Sequence, residues 1–315
     1  MEQTKALYDM REKRHQQMRK FSLISFQTFL LQFLSISRLQ LMGLLCLWPL
    51  FSGSSALALE LKGDLSQGGL LIGQVLPGTS VALMDRKVSV DKDGSFVFGL
   101  GRNAPSEIKL VTTSDKGEKK VHVLAVAQRE YREQRIEGVP QKTVTPPAEV
   151  LERIRREAAL VKQARRGDSS LQDFLAGFVK PLEGPITGVY GSRRVYNGTP
   201  GRPHYGLDIA APTGTEVYAP APGIVRLAHE DMFYSGGTLI VDHGQGVSST
   251  FIHLSEVVAI PGQRVEAGEL IARVGATGRA TGPHLDWRIN WFDVRVDPDL
   301  VLKSFPPIKA PDKDE

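Results

Sequence analysis

From Leu285 to Trp291 the chain alternates apolar and polar residues without a break, and His284 extends the polar set by one. Successive side chains of a strand point to opposite faces. The pattern therefore predicts a half-buried strand with Leu285, Trp287, Ile289 and Trp291 packed inward and His284, Asp286, Arg288 and Asn290 on the other face. That second face carries an imidazole, two charges and an amide, so the strand is expected to hold part of a site. His204-Tyr205-Gly206-Leu207-Asp208 supplies a second imidazole and a carboxylate, and Phe251-Ile252-His253-Leu254 a third imidazole. Together they offer two potential metal ligands, a third candidate in Asp286, and two imidazoles for proton work.

Composition narrows the choice of donors. The only cysteine, Cys46, lies in an apolar N-terminal segment, so a metal site in the body must be built from His, Asp and Glu. The formal charge of +4 arises entirely in residues 1–58, where seven Lys/Arg stand against three Asp/Glu; the remainder is neutral and gives no reason to expect a nucleic-acid partner.

From about Pro181 to Leu302 the chain resembles the lysostaphin-type (LytM-domain) zinc metallopeptidases, whose signature is His-x-x-x-Asp followed some eighty residues on by His-x-His. His204 and Asp208 match the first motif, and His284 opens the second. Gly191-Ser192-Arg193, the run Pro203 to Ile209, Gly214 to Val217, Gly223-Ile224-Val225, Phe251 to Leu254 and Gly278 to His284 extend the agreement in order. The resemblance implies a groove with a Zn2+ site on its floor. His204 and Asp208 would be ligands, and His253 and His284 would be the non-ligand histidines that help deprotonate water and stabilise the oxyanion. Arg193, Tyr205, Arg288 and Asn290 would line or support the groove, walled by the loops 193–202 and 231–237.

One position departs from the family: Asp286 stands where the third ligand is His. A carboxylate oxygen binds zinc at about 2.0–2.2 Å, so Asp is competent, though its shorter arm asks the strand or the metal to shift. With the ion counted, a His/His/Asp site carries about +1 and a His/Asp/Asp site about 0. The expected centre is a weaker Lewis acid. Arg288, on the same face, offsets part of this, or else pairs with Asp286 and leaves the metal site incomplete. Phe251 stands where the family usually has Tyr.

Two functions follow from the resemblance. The first is an exported zinc-dependent endopeptidase hydrolysing the peptide cross-links of peptidoglycan, with the peptide stems as its partners. The alternative is a non-catalytic LytM domain that binds cell wall or activates a separate amidase.

The fold class expected is mainly β, with material for two modest domains. Residues 1–58 read as an export signal ending in Ala56-Leu57-Ala58, or as an uncleaved anchor, which places the protein in the cell envelope and limits membrane contact to this segment. Residues 59–127 alternate short β-branched runs with turn signals and predict a small β-sandwich; Asp91-Lys92-Asp93-Gly94 reads as a hairpin turn. Residues 128–180 form a strap and a helix, with Thr145 as N-cap, Pro146 and Pro147 in the first turn, and Gly167 past the end. Val150, Ile154, Ala158 and Val161 make its apolar stripe, with Glu149/Arg153 and Glu152/Arg156 on the wet side. Residues 181–303 are the antiparallel β peptidase-like domain and 304–315 a polar tail. His243 reads as a hairpin position, and His229, His122 and His15 are assigned no chemistry.

Overall fold

The computed structural model describes residues 59–136, 148–167, 169–196 and 199–308. The leader with Ala56-Leu57-Ala58, the helix start at Thr145 to Pro147 and the tail from residue 309 lie outside the described residues. Among those described, no helix is long and apolar enough to cross a membrane.

The first module contains β1 (Glu60–Gly63), β2 (Leu70–Gln74), β3 (Ser80–Leu83), β4 (Arg86–Val88), β5 (Ser95–Gly99), β6 (Glu107–Thr113) and β7 (Lys119–Ala125). They form two antiparallel sheets, β1-β2-β5 and β4-β3-β6-β7, as the alternating runs predict. β6 shows why: Ile108, Leu110 and Thr112 are buried while Glu107 and Lys109 face water. Phe96 and Phe98 on β5 are fully buried. The Asp91–Gly94 turn forms where expected. Gly94 has φ +89° and donates its N–H to Asp91 O at 3.0 Å, and a Cβ there would lie 1.9 Å from Val75 O.

The strap contributes a strand that the sequence pattern did not show. β8 (Glu133–Ile136) precedes α1 (Ala148–Ala164), β9 (Ile186–Gly188), β10 (Arg193–Tyr196) and β11 (Thr199–Pro200). β8 pairs in parallel with β10, which pairs in turn with β11, so the segment expected as a wall loop from Arg193 is instead part of a three-stranded sheet. The partner strand lies about sixty residues upstream, beyond the reach of local pattern.

α1 docks on the second module through a mixed face. Arg153 bridges Glu157 at 2.6 Å and Asp231 at 2.9 Å, and Glu157 accepts the N–H of Phe233 at 2.8 Å. The expected Glu152/Arg156 pair is present at 3.2 Å, but Arg153 turns to Glu157 rather than Glu149, and Ala158 of the expected stripe is exposed. Tertiary partners on the neighbouring strand decided the rotation of the helix.

The second module comprises β12 (Leu207–Ala210), β13 (Glu216–Tyr218), β14 (Gly223–Met232), β15 (Gly236–Gly244), β16 (Val247–Val257), β17 (Arg264–Val265), β18 (Leu270–Val274), β19 (His284–Trp291), β20 (Val294–Val296) and α2 (Pro298–Ser304). The main sheet runs β17-β14-β15-β16-β19-β12-β9, with β20 on β19 and β18 joining β16 to β13. β19 is central. Its Trp287 sits in one row with Leu207 on β12, Phe251 on β16 and Leu239 on β15, all buried. The adjacent row is Asp208, Asp286 and Ile252, on the opposite face.

Both modules draw on one continuous core. A Cβ on Gly99 of β5 would lie 2.8 Å from Val296 and 2.9 Å from Trp291, so the first module packs closely on the β19–β20 hairpin. Arg86 adds an ion pair to Asp293 at 3.0 Å and stacks over Trp291 and Phe292.

Candidate metal and proton-transfer site

β12 and β19 build the site by register. Asp208 is paired with Asp286, so their side chains rise from one face, and His204 reaches the same point from the approach to β12. His204 is held by two backbone bonds of 2.8 Å, one to Ser192 O and one from Gly191 N. Its Nε2 stands 3.1 Å from Asp208 Oδ1. Beyond that contact, neither atom has a hydrogen-bond partner among the described residues, although both are shielded from solvent. Potential ligand atoms of His204, Asp208 and Asp286 lie within 4.8 Å of one another.

Two glycines make room for this convergence. A Cβ on Gly206 would lie 2.1 Å from Asp286 Oδ1, and one on Gly188 would lie 2.1 Å from Asp208 Oδ2.

Asp286 is 2% exposed and is gripped by Arg288, with Nε to Oδ1 at 2.9 Å and Nη2 to Oδ2 at 2.5 Å. Burial alone would raise its pKa; the Arg288 guanidinium outweighs burial and holds it low, at about 2. For His204 burial works against the charged form, but Asp208 and the charge of Asp286 outweigh it and raise its pKa. The corner thus attracts positive charge.

These features fit a divalent cation. Two ligands bound to a tetrahedral zinc at about 2.0–2.1 Å are roughly 3.4 Å apart, close to the His204–Asp208 spacing. Each carboxylate oxygen has two lone pairs, so Asp286 keeps acceptor capacity after binding Arg288. The expected ion pair and the expected metal ligand are therefore compatible in one side chain.

The two remaining histidines are held alike. His253 bonds through Nδ1 to Thr277 O and His284 through Nδ1 to Gly282 O, each at 2.8 Å. A carbonyl only accepts, so Nδ1 carries the hydrogen and the neutral ring keeps Nε2 as its acceptor. The rings lie 4.9 Å apart between centroids. Burial, ahead of other influences, lowers the pKa of His253, which favours the neutral ring near pH 7. His253 also adopts φ +67°, a conformation that costs a non-glycine residue about 1–3 kcal/mol and collects at functional sites. Its N–H, donated to Ser235 O at 2.8 Å, helps hold it there.

Of the supporting residues expected from sequence, only Arg288 reaches this corner directly. Arg193 pairs with Glu133 across β8 and β10, and so ties the strap to the site wall. Tyr205 packs edge-on against Tyr190 at 6.1 Å and lies under Arg295. Asn290 is fully buried and paired with Ser248 and Arg295, four residues along β19 from Asp286. Sequence reasoning missed Gly206, Thr277, Arg165 and Arg295. The Gly within His-x-Gly-x-Asp was visible as a letter, but its clearance role needs Asp286 in place.

His243, expected at a hairpin, lies on β15 just before the turn and is fully buried. Trp287 Nε1 donates to Ser249 Oγ at 3.3 Å, Ser249 donates to His243 Nε2 at 2.9 Å, and His243 Nδ1 donates to Pro222 O at 2.6 Å. The acceptor-only carbonyl fixes the hydrogen on Nδ1, and burial, which lowers the pKa of this ring, keeps Nε2 unprotonated and accepting from Ser249, so the ring is neutral and structural.

A central antiparallel sheet with a His/Asp corner and two imidazoles whose Nε2 atoms can accept defines a domain of the peptidase class. The chain belongs to Peptidase family M23, whose profile matches residues 202–298. A crystal structure of a putative peptidase M23 from Pseudomonas aeruginosa is 31% identical and superposes with a TM-score of 0.61 over 77% of this chain and 96% of that one. Peptidoglycan DD-endopeptidase ShyB of Vibrio cholerae is 34% identical over 141 residues, 45% of this chain and 30% of its own length. DD-carboxypeptidase/endopeptidase Mpg of Neisseria meningitidis is 38% identical over 112 residues, 36% of this chain and 26% of its own. The chain thus spans about a quarter to a third of the length of these curated relatives.

Proposed function

We propose that the chain is a zinc-dependent endopeptidase, exported to the cell envelope, that hydrolyses peptide cross-links of peptidoglycan. The observation that carries this reading is the convergence of His204, Asp208 and Asp286 beside two imidazoles whose Nε2 atoms are free to accept. A metal at this corner would polarise the scissile carbonyl and acidify water. The chain's own residues supply the rest. His204, Asp208 and Asp286 would hold the metal, Arg288 fixes the Asp286 carboxylate, and His253 Nε2 accepts a proton. Once protonated, that nitrogen or its His284 counterpart donates a hydrogen bond to the developing oxyanion. The names of the relatives support the substrate, and the leader supports the compartment.

The test is zinc content and peptidoglycan hydrolysis of the full chain, with His253→Ala and His204→Ala alongside. Loss of a proton acceptor typically costs 10²- to 10⁴-fold in rate, so His253→Ala should keep its zinc and lose activity, whereas His204→Ala should lose both. Unchanged hydrolysis by His204→Ala would end the proposal. Cell fractionation tests export: recovery of the protein in the cytoplasm would refute it.

A second reading, a non-catalytic domain that binds cell wall or activates an amidase, is favoured by the bidentate grip of Arg288 on Asp286. Zinc uptake and hydrolysis appearing only in Asp286→His would establish it.

A further inference from the structure

Three arginines from separate parts of the chain meet on the polar face beside Asp286. Arg288 on β19 has Thr250 of β16 as its cross-strand partner, and Arg165, just past α1, donates from Nη2 to Thr250 Oγ1 at 3.0 Å. Arg295 on β20 is paired with Asn290, two residues along β19 from Arg288, and its guanidinium stands 6.0 Å from the Tyr205 ring. Directly opposed residues on adjacent strands have Cβ atoms about 5 Å apart and diagonal ones about 7–8 Å, within reach of long side chains.

The polar bookkeeping of this cluster does not close. Arg288 has Asp286, but Arg165 Nε and Arg295 Nη1 are buried with no hydrogen-bond partner among the described residues. Burial, followed by the neighbouring arginines, pushes Arg165 well below the ordinary guanidinium value and Arg295 down to about 10. Clustered like charges with unmet donors are costly unless an anion joins them. A divalent cation between His204, Asp208 and Asp286 would balance both carboxylates and leave all three guanidiniums as net positive charge.

We propose that Arg165, Arg288 and Arg295 form a carboxylate-recognition subsite beside the catalytic corner, so that the favoured substrate is a peptide bearing a free carboxylate near the scissile bond. A guanidinium fork matches a carboxylate through two parallel bonds, and Arg288 already binds Asp286 in that way. The Arg288 guanidinium folds back onto the Asp286 carboxylate, so a carboxylate bound by the cluster lies next to the His204–Asp208–Asp286 corner. The rim of the cluster reaches solvent, since the Arg288 side chain is 25% exposed and Arg165 and Arg295 are half-buried, while Arg165 Nε and Arg295 Nη1 lie beneath that rim and would meet a carboxylate only once it has entered. This inference rests on the peptidase reading for its substrate, though binding tests it apart from turnover.

The experiment uses the full chain and a synthetic cross-linked peptide dimer in three forms: free acid, C-terminal amide and side-chain amide. Binding to metal-free protein is measured by calorimetry, and cleavage by the zinc-loaded protein by chromatography. The free acid should bind and be cleaved at least about tenfold better than one of the two amides, and which amide fails identifies the carboxylate as terminal or side-chain. Arg165→Gln and Arg295→Gln should abolish that preference, and Arg165→Lys should restore part of it. Preferential binding without cleavage would sink the endopeptidase reading and leave the subsite standing. Equal binding of all three forms by the wild type would overturn the subsite without recourse to any variant. Arginine-dependent binding of inorganic phosphate, with no preference among the peptides, would overturn it too.

Discussion

Replacing Asp286 by Asn separates the two roles of this residue. The side chain is 3% exposed and accepts two bonds from Arg288, whose own side chain is 25% exposed. Breaking a buried pair by removing one partner costs about 3–5 kcal/mol. Because Arg288 retains some solvent, about 2–3 kcal/mol is the appropriate expectation here. For a folded unit of this size 1 kcal/mol moves Tm by roughly 2–4 °C, so Asp286→Asn should melt roughly 4–12 °C below wild type in chelator. Zinc should then stabilise the wild type, by about 4 kcal/mol at a thousand times Kd, and the variant far less, since a ligand is gone. Adding Arg288→Met to Asp286→Asn should recover much of the chelator Tm, because the unpaired cation is removed, but none of the zinc response. Differential scanning calorimetry of the three proteins with and without zinc reads all six values. An equal zinc response in Asp286→Asn and wild type would refute the three-donor site; an unchanged Tm in chelator would refute the energetic account of the ion pair.

Gly206→Ala should disturb the same corner from the backbone side. The new Cβ meets Asp286 Oδ1 at 2.1 Å and Trp287 O at 2.8 Å, so stability should fall by about 1–3 kcal/mol and zinc affinity with it, and urea unfolding with a zinc titration checks both. Burial holds the pKa of His243 below its unfolded value near 6.5, so below about pH 6.5 the unfolded chain takes up a proton that the folded one refuses. The stability difference between wild type and His243→Gln should therefore shrink as pH falls from 7 to 5, by up to about 1.4 kcal/mol per unit; a constant difference in urea unfolding would show that the ring is not held neutral.

Much of the second module was legible because its signals are local. The period of β19 needed only eight residues, and the turns around β18 and β15 are marked by glycine. The β-sandwich strands emerged from the same alternation. What local pattern could not give was pairing at long separation. β8 lies in a polar strap and becomes a strand only because β10 offers it an edge. Arg165 sits in a basic run that reads as solvated, yet tertiary packing brings it to Thr250, far away in sequence.

The sequence by itself determined the chemistry available: no thiolates in the body, His204 and Asp208 at one spacing, His284 and Asp286 on one strand face, and an Asp where the family has His. Those facts follow from residue identity and a two-residue period. Only the tertiary structure decided what Asp286 touches. Its oxygens face both the His204–Asp208 corner and Arg288 because β12 pairs with β19 in one particular register. A slip of one residue would have turned the carboxylate to the core.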